Sequence, residues 1–198
     1  RGLGDVYKRQ ILRGLPEPHA KRTVEGDIGM RYSARGVLEA AGLPRLCALS
    51  GLSEDAVEAL LARIEASPGI LPEPGSDLKR LDFALATAAI ETGLTRHAGT
   101  IEQVFTPAGM VFQQTGKDLT GVEILLMTGG ALVFSGEAER IAQQALAGVE
   151  DPSSLKPRDA RVVLDRQYIL AAMGLLCEQY PEAAFDIMCQ EFLKQKGA

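Results

Sequence analysis

The chain has 198 residues, a formal net charge of −5 and a hydrophobic fraction of 46%, which suits one domain or two small lobes with a real core. The acidic balance disfavours a surface that tracks nucleic-acid phosphates, and neither a membrane-length apolar run nor a secretory leader pattern is visible. Three scattered cysteines (Cys47, Cys177, Cys189) beside His19 and His97 give no zinc spacing, and the expectation is a cytoplasmic protein with idle thiols.

Residues 1–10, RGLGDVYKRQ, have no hydrophobic period joining them to the next segment and resemble a translated adapter sequence. They are set apart as a non-native leader. Residues 11–198 are then expected to be the C-terminal part of a longer protein. Residues 11–22 read as loop, with Pro16, Pro18 and the basic pair Lys21-Arg22. A short extended piece ends at Gly26, and a helix over residues 33–41 is stopped by Gly42-Leu43-Pro44. Ser53 is a good N-cap, with Glu54 and Asp55 in the first turn. Val57, Leu60, Leu61 and Ile64 then fall on one helical face, which Ser67-Pro68-Gly69 ends.

Residues 77–92 carry the strongest helical stripe, Leu78, Leu81, Leu85 and Ala88, with a run of alanines that lets a neighbour pack closely. Arg96-His97-Ala98-Gly99 reads as the end of that helix. The period then changes. Residues 101–106 and 110–114 read as a hairpin about Pro107-Ala108-Gly109. Gly116-Lys117-Asp118-Leu119 sits in a polar loop, as a plain turn or an anion contact. The apolar run Val122–Met127 then reads as a central strand ending at Thr128-Gly129-Gly130. Helix comes next over residues 137–147, with Ile141, Ala145 and Leu146 inward, and then a short strand over residues 161–164. Asp165 suits the cap of a helix carrying Ile169, Ala172, Met173 and Leu176. Pro181 opens a last helix with Phe185, Met188, Cys189 and Phe192 as its apolar face. Strands mixed with helices place the chain in the α/β or α+β class.

The glycine pair after the apolar run fits a plain strand-to-helix turn, and equally a turn that lets a ligand reach the backbone. The chain holds no Walker loop, no dinucleotide glycine fingerprint and no nucleophile elbow.

The series from Lys21 to Arg31, containing Gly26-Asp27-Ile28-Gly29, then Arg96-His97-Ala98-Gly99, Gly116-Lys117-Asp118-Leu119-Thr120 and Thr128-Gly129-Gly130-Ala131, resembles the glutamate mutase MutL family. The resemblance runs from about residue 16 to the C-terminus and includes Leu155-Lys156-Pro157 and Tyr168-Ile169-Leu170. It departs at Met127, where relatives often carry a further glycine. The family is unrelated to the mismatch-repair protein of the same name. The resemblance implies an α/β chain: the second lobe of an actin-like (ribonuclease H-like) ATPase, with a mixed sheet and a helical subdomain inserted at about residues 33–93. It implies ATP as cofactor, with magnesium in the complete protein, and subunits of an adenosylcobalamin-dependent amino acid mutase as partners. It makes Thr128, Gly129, Gly130 and Ala131 the adenosine turn, and Gly26, Asp27 and Gly29 the lead-in to the helical part that closes over the nucleotide. The implied role is ATP-dependent reactivation of the mutase. A small-molecule kinase of the same superfold and a non-catalytic mutase-binding scaffold stand as alternatives. The phosphate loops of such a fold would lie upstream of residue 11, so the segment alone is expected to turn over little ATP.

Overall fold

The computed structural model describes residues 11–13, 24–107, 109–147 and 151–193, which form a mixed α/β arrangement of small sheets and helices. The expected leader, Lys21-Arg22 and Ala108 lie outside the described residues. Four helices, α1 (Ala34–Ala41), α2 (Leu43–Ser50), α3 (Glu54–Ala66) and α4 (Asp77–His97), pack around one apolar core. Their ends obey local rules. Ser53 Oγ accepts from the Ala56 N–H and Ser76 Oγ from the Lys79 N–H, each satisfying a donor the helix leaves free. Val37, Leu46, Val57, Leu61, Ile64, Leu81 and Leu85 are fully buried, as the spacing predicts for α3 and α4.

Helix α4 ends at His97 with Ala98 as its C-cap, where Arg96-His97-Ala98-Gly99 is expected to close it, although its apolar stripe reads only to residue 92. One expectation about this bundle changes: a second helix follows Gly42 directly. That glycine, at φ 83°, ends α1 and at once precedes α2, where Pro44 occupies the first turn. Proline at that position loses no hydrogen bond, so it starts a helix as readily as it stops one.

The strands form two sheets among the described residues. One has the order β1-β3-β2, with β1 (Ile11–Arg13) parallel to β3 (Gly109–Thr115) and β2 (Thr100–Thr106) antiparallel to it. The hairpin is as expected, whereas Ile11 to Arg13 is strand rather than loop. Gly99 and Gly116 let the ends of α4 and β3 touch, for a Cβ on Gly99 would lie 2.3 Å from the Thr115 carbonyl oxygen. The second sheet pairs β4 (Ile124–Met127) in parallel with β5 (Arg161–Leu164). Expected as a central strand, β4 is four residues long, and β5 is its strand partner among the described residues.

Helix α5 (Gly130–Val133) comes after β4, and α6 (Ala138–Ala147) lays Ala138, Ile141, Ala142 and Ala145 inward. Met127, Ala138, Ala142 and Leu164 form a second core, and Ile141 joins Phe83 and Ala86 of α4 in a third. That third cluster locks the β4–β5 layer onto the helical bundle. Helices α7 (Leu170–Leu176) and α8 (Pro181–Phe192) form a terminal pair. The expected inward face of α8 is only partly inward: Phe192 and Ala184 are buried, while Phe185 faces solvent at 62% exposure.

Candidate functional site

Parallel strands deliver their C-terminal ends side by side, and here two turns leave that edge together. Asp165, next after β5, is 1% exposed. Its Oδ2 accepts from the Thr128 hydroxyl at 3.1 Å and from the Leu170 N–H at 3.1 Å. Its Oδ1 accepts from the Ile169 N–H at 2.9 Å, and its own N–H donates to the Met127 carbonyl at 2.8 Å. One buried carboxylate therefore accepts from the N–H groups at the start of α7, though the N-cap position itself is Ile169 rather than Asp165, and it also fastens the turn after β4. Full hydrogen bonding is what makes its burial tolerable.

The turn needs its glycines for two different reasons. Gly129 has φ 111°, a conformation closed to most side chains. At Gly130 the constraint is space: a Cβ would lie 2.9 Å from Tyr168 Oη and 3.7 Å from the Phe134 ring. Tyr168 itself sits at φ 56°, and its ring stacks on Phe134 with centroids 6.0 Å apart and planes at 27°. Phe134 remains 80% exposed.

Gly130, Ala131 and Phe134 form one side of a cavity of about 380 Å³. Across it lie Arg31, Lys79 and Asp82, the last two on successive turns of α4. Lys79 Nζ donates to the Ser135 carbonyl at 2.7 Å, tying α4 to the segment after α5. Arg31 Nη2 donates to Asp82 Oδ2 at 2.6 Å. Arg31 Nη1 and Asp82 Oδ1 are buried without a hydrogen-bond partner among the described residues. Burial pushes the Asp82 carboxyl above the ordinary aspartate range, with Arg31 and Lys79 pulling the other way.

Of the residues singled out from sequence, Gly130 and Ala131 line this cavity, while Thr128 and Gly129 shape the turn behind it. Gly26, Asp27 and Gly29 lie elsewhere, in and beside a 3-10 turn (Gly26–Ile28) at the foot of the bundle. There Arg96 Nη1 donates to Glu25 at 2.7 Å and to Asp27 at 2.9 Å. The Arg96 hydrogen bond holds the Asp27 carboxyl below its usual range. A Cβ on Gly36 would stand 1.8 Å from the Asp27 carbonyl oxygen, so α1 rides directly on this turn. The segment reaches the cavity through Met30 and Arg31. Lys117 pairs with Ala98 in a parallel β-bridge, and Asp118 opens a side-chain turn in which its Oδ1 accepts from both the N–H and the hydroxyl of Thr120.

Sequence reading gave no site role to Arg31, Asp82, Phe134 or Tyr168, although Arg31 closes the Lys21–Arg31 series and Tyr168 opens Tyr168-Ile169-Leu170. Arg31 and Asp82 are 51 residues apart, and Asp82 belongs to no motif. A further signal was Phe134, a large apolar residue just past a glycine turn. Among the described residues there is no cluster of three or more His, Cys, Asp or Glu side chains placed to hold a metal ion. No described helix is long and apolar enough to cross a membrane.

The geometry defines a mixed α/β protein with a cavity between a glycine turn and a helical bundle. A profile of the MutL protein family matches residues 4–192, and the chain belongs to that family. It is similar to Protein MutL of Clostridium tetanomorphum, at 40% identity over 183 residues, covering 92% of this chain and 39% of that protein. The chain thus spans about two fifths of that relative's length. It is also similar to an uncharacterized 15.6 kDa protein in the mobL 3' region of Acidithiobacillus ferridurans, at 30% identity over 112 residues. That match covers 50% of this chain and 74% of the other. No solved structure matches the chain.

Proposed function

We propose that the chain is the nucleotide-holding second lobe of an actin-like ATPase, with α1–α4 as its inserted helical subdomain. The whole protein would be an ATP-dependent accessory factor that reactivates an adenosylcobalamin-dependent amino acid mutase such as glutamate mutase. Membership of the MutL family supports the mutase link. The nucleotide reading rests on one observation: Gly130 and Ala131 face Arg31, Lys79 and Asp82 across a cavity of about 380 Å³. That volume lies in the range of small-molecule sites, commonly about 300–1,000 Å³. A glycine turn at the C-terminal edge of parallel strands is where α/β proteins commonly bring backbone to a ligand. The residues present fit an adenosine, since Phe134 offers an apolar wall and Arg31 and Asp82 add a charged donor and acceptor pair to the lining. Bound ATP would supply the free energy for closing the lobes. Magnesium would come with the phosphates, whose contacts are assigned to none of the described residues.

The test uses a full-length family protein containing this segment. ATP-dependent recovery of an inactivated mutase is expected, and a Gly130→Arg variant, which fills the cavity, should lose it. Recovery that needs no ATP, or that survives the arginine, would sink the reading. The 198-residue chain alone should turn over ATP no faster than its own Gly130→Arg variant, because the sequence holds no phosphate loop.

A scaffold reading has one observation of its own. Leu175, Tyr180 and Phe185 on and between α7 and α8 are 72%, 60% and 62% exposed, an apolar surface suited to another protein. If the full-length protein binds a mutase subunit but no nucleotide by calorimetry, that reading replaces the first.

A further inference from the structure

Arg31 and Asp82 are an ion pair with an unused half. Oδ2 of the aspartate and Nη2 of the arginine bond each other at 2.6 Å, while Oδ1 and Nη1 are buried and have no hydrogen-bond partner among the described residues. A buried donor or acceptor left without a partner costs about 1–3 kcal/mol, so two side by side are not a stabilising device for the bundle. Both side chains line the cavity and keep 19% and 16% of their surface exposed. To meet a ligand, each side chain must turn about its last torsion toward the cavity that both residues line.

We infer that Arg31 and Asp82 read the edge of an adenine base lying against Phe134. Adenine presents an N6 donor beside an N1 acceptor on one edge, and beside an N7 acceptor on another. Either edge pairs with a carboxylate oxygen and a guanidinium N–H in that order. A 6-oxopurine reverses the order on its pairing edge and presents two acceptors on the other, which leaves the carboxylate facing an oxygen. Of the other charged groups lining the cavity, Lys79 is committed to the Ser135 carbonyl and Glu137 accepts from Arg140. The inference rests on the nucleotide reading of the cavity and adds to it the residues that choose the base.

Ligand-observed NMR titrations of a full-length family protein containing this segment with ADP and IDP test it, because the phosphates and ribose are common to both. Wild type should bind IDP at least about tenfold more weakly than ADP, the usual cost of losing one charge-assisted hydrogen bond. In Asp82→Asn the amide oxygen turns to Arg31 and its NH2 meets the base, so the preference should fall to parity or reverse. A merely structural role would weaken both nucleotides equally and leave their ratio unchanged. If wild type binds both nucleotides equally, or if Asp82→Asn keeps the ADP preference, base reading by this pair is overturned while the nucleotide site stands. If neither nucleotide binds at millimolar concentration, the site and its base reading both fall. The wild-type comparison needs no variant, so a poorly folding Asp82→Asn protein leaves the outcome decidable.

Discussion

The helical bundle and the β4–β5 edge are held by different physics. In the bundle, Leu46, Leu61, Ile64, Leu81 and Leu85 are wholly buried, and every residue of α4 from Phe83 to Ala88 is buried with them. Its stability comes from apolar area removed from water. At the edge, α7 buries no residue and α8 buries only Ala184 and Phe192. What orders that region is Asp165, one carboxylate joining Thr128, Ile169 and Leu170. A core held by area degrades gradually when trimmed. A turn held by one polar group fails locally when that group is lost. The cavity lies between the two, with a rigid wall on α4 and a wall whose shape depends on a few hydrogen bonds.

The largest effect should come from the bundle. Leu85→Ala removes a wholly buried side chain and should cost about 3 kcal/mol, within the range for leucine truncation in cores. Phe185→Ala deletes a larger side chain that is 62% exposed, and should change stability by less than about 0.5 kcal/mol. Urea unfolding of both variants measures the contrast, and equal losses would mean that α8 is covered in solution. Next comes Asp165→Ala, which strands two N–H groups and a hydroxyl and should cost about 2 kcal/mol. Amide hydrogen exchange should show the loss confined to residues 128–134 and 165–176, with α3 and α4 still protected. Loss of protection throughout the bundle would make Asp165 a global rather than a local fastener. Gly36→Ala drives a methyl into the Asp27 carbonyl and should cost about 1–2 kcal/mol through a shift of the 3-10 turn.

The same division governs how far each region could be read in the sequence. Apolar periodicity reports burial directly, so α3 and α4 and their caps were legible from Ser53, Leu61, Leu81 and Leu85. Helix α2 was not, because Gly42 and Pro44 end one helix and begin the next, and composition alone gives one signal for both. Phe185 misled for the opposite reason: helical spacing marks an apolar face without saying what covers it. The glycine turn was legible as a turn because Gly129 must take a positive φ. Its opposite wall was hidden, since Arg31 and Asp82 meet only through the packing of distant segments. Gly26 and Asp27 stood out as a motif, yet the structure uses them to dock Arg96 and α1 rather than to line the cavity.

The smallest effect concerns that docking, and pH isolates it. Asp27 is held below its usual range by Arg96, so in the folded protein it gives up its proton more readily than in the unfolded chain. A depressed carboxylate contributes stability that is complete above its unfolded value, about 4 for aspartate, and is lost as pH falls through the lower folded value. Asp82 works in the opposite sense. Its carboxyl is raised, so the folded protein takes up that proton first and gains stability as pH falls toward 4. The two are separable because only the first depends on Arg96. Arg96→Ala should lower the urea midpoint slightly at pH 7, and the gap to wild type should narrow as pH falls below about 4, the unfolded value for aspartate. The gap is expected to be small because the Arg96 and Asp27 side chains are 37% and 56% exposed and well screened by water. A gap that stays constant as pH falls would show that Arg96 contributes packing along its stem rather than charge. The 3-10 turn would then be held to α4 by contact alone.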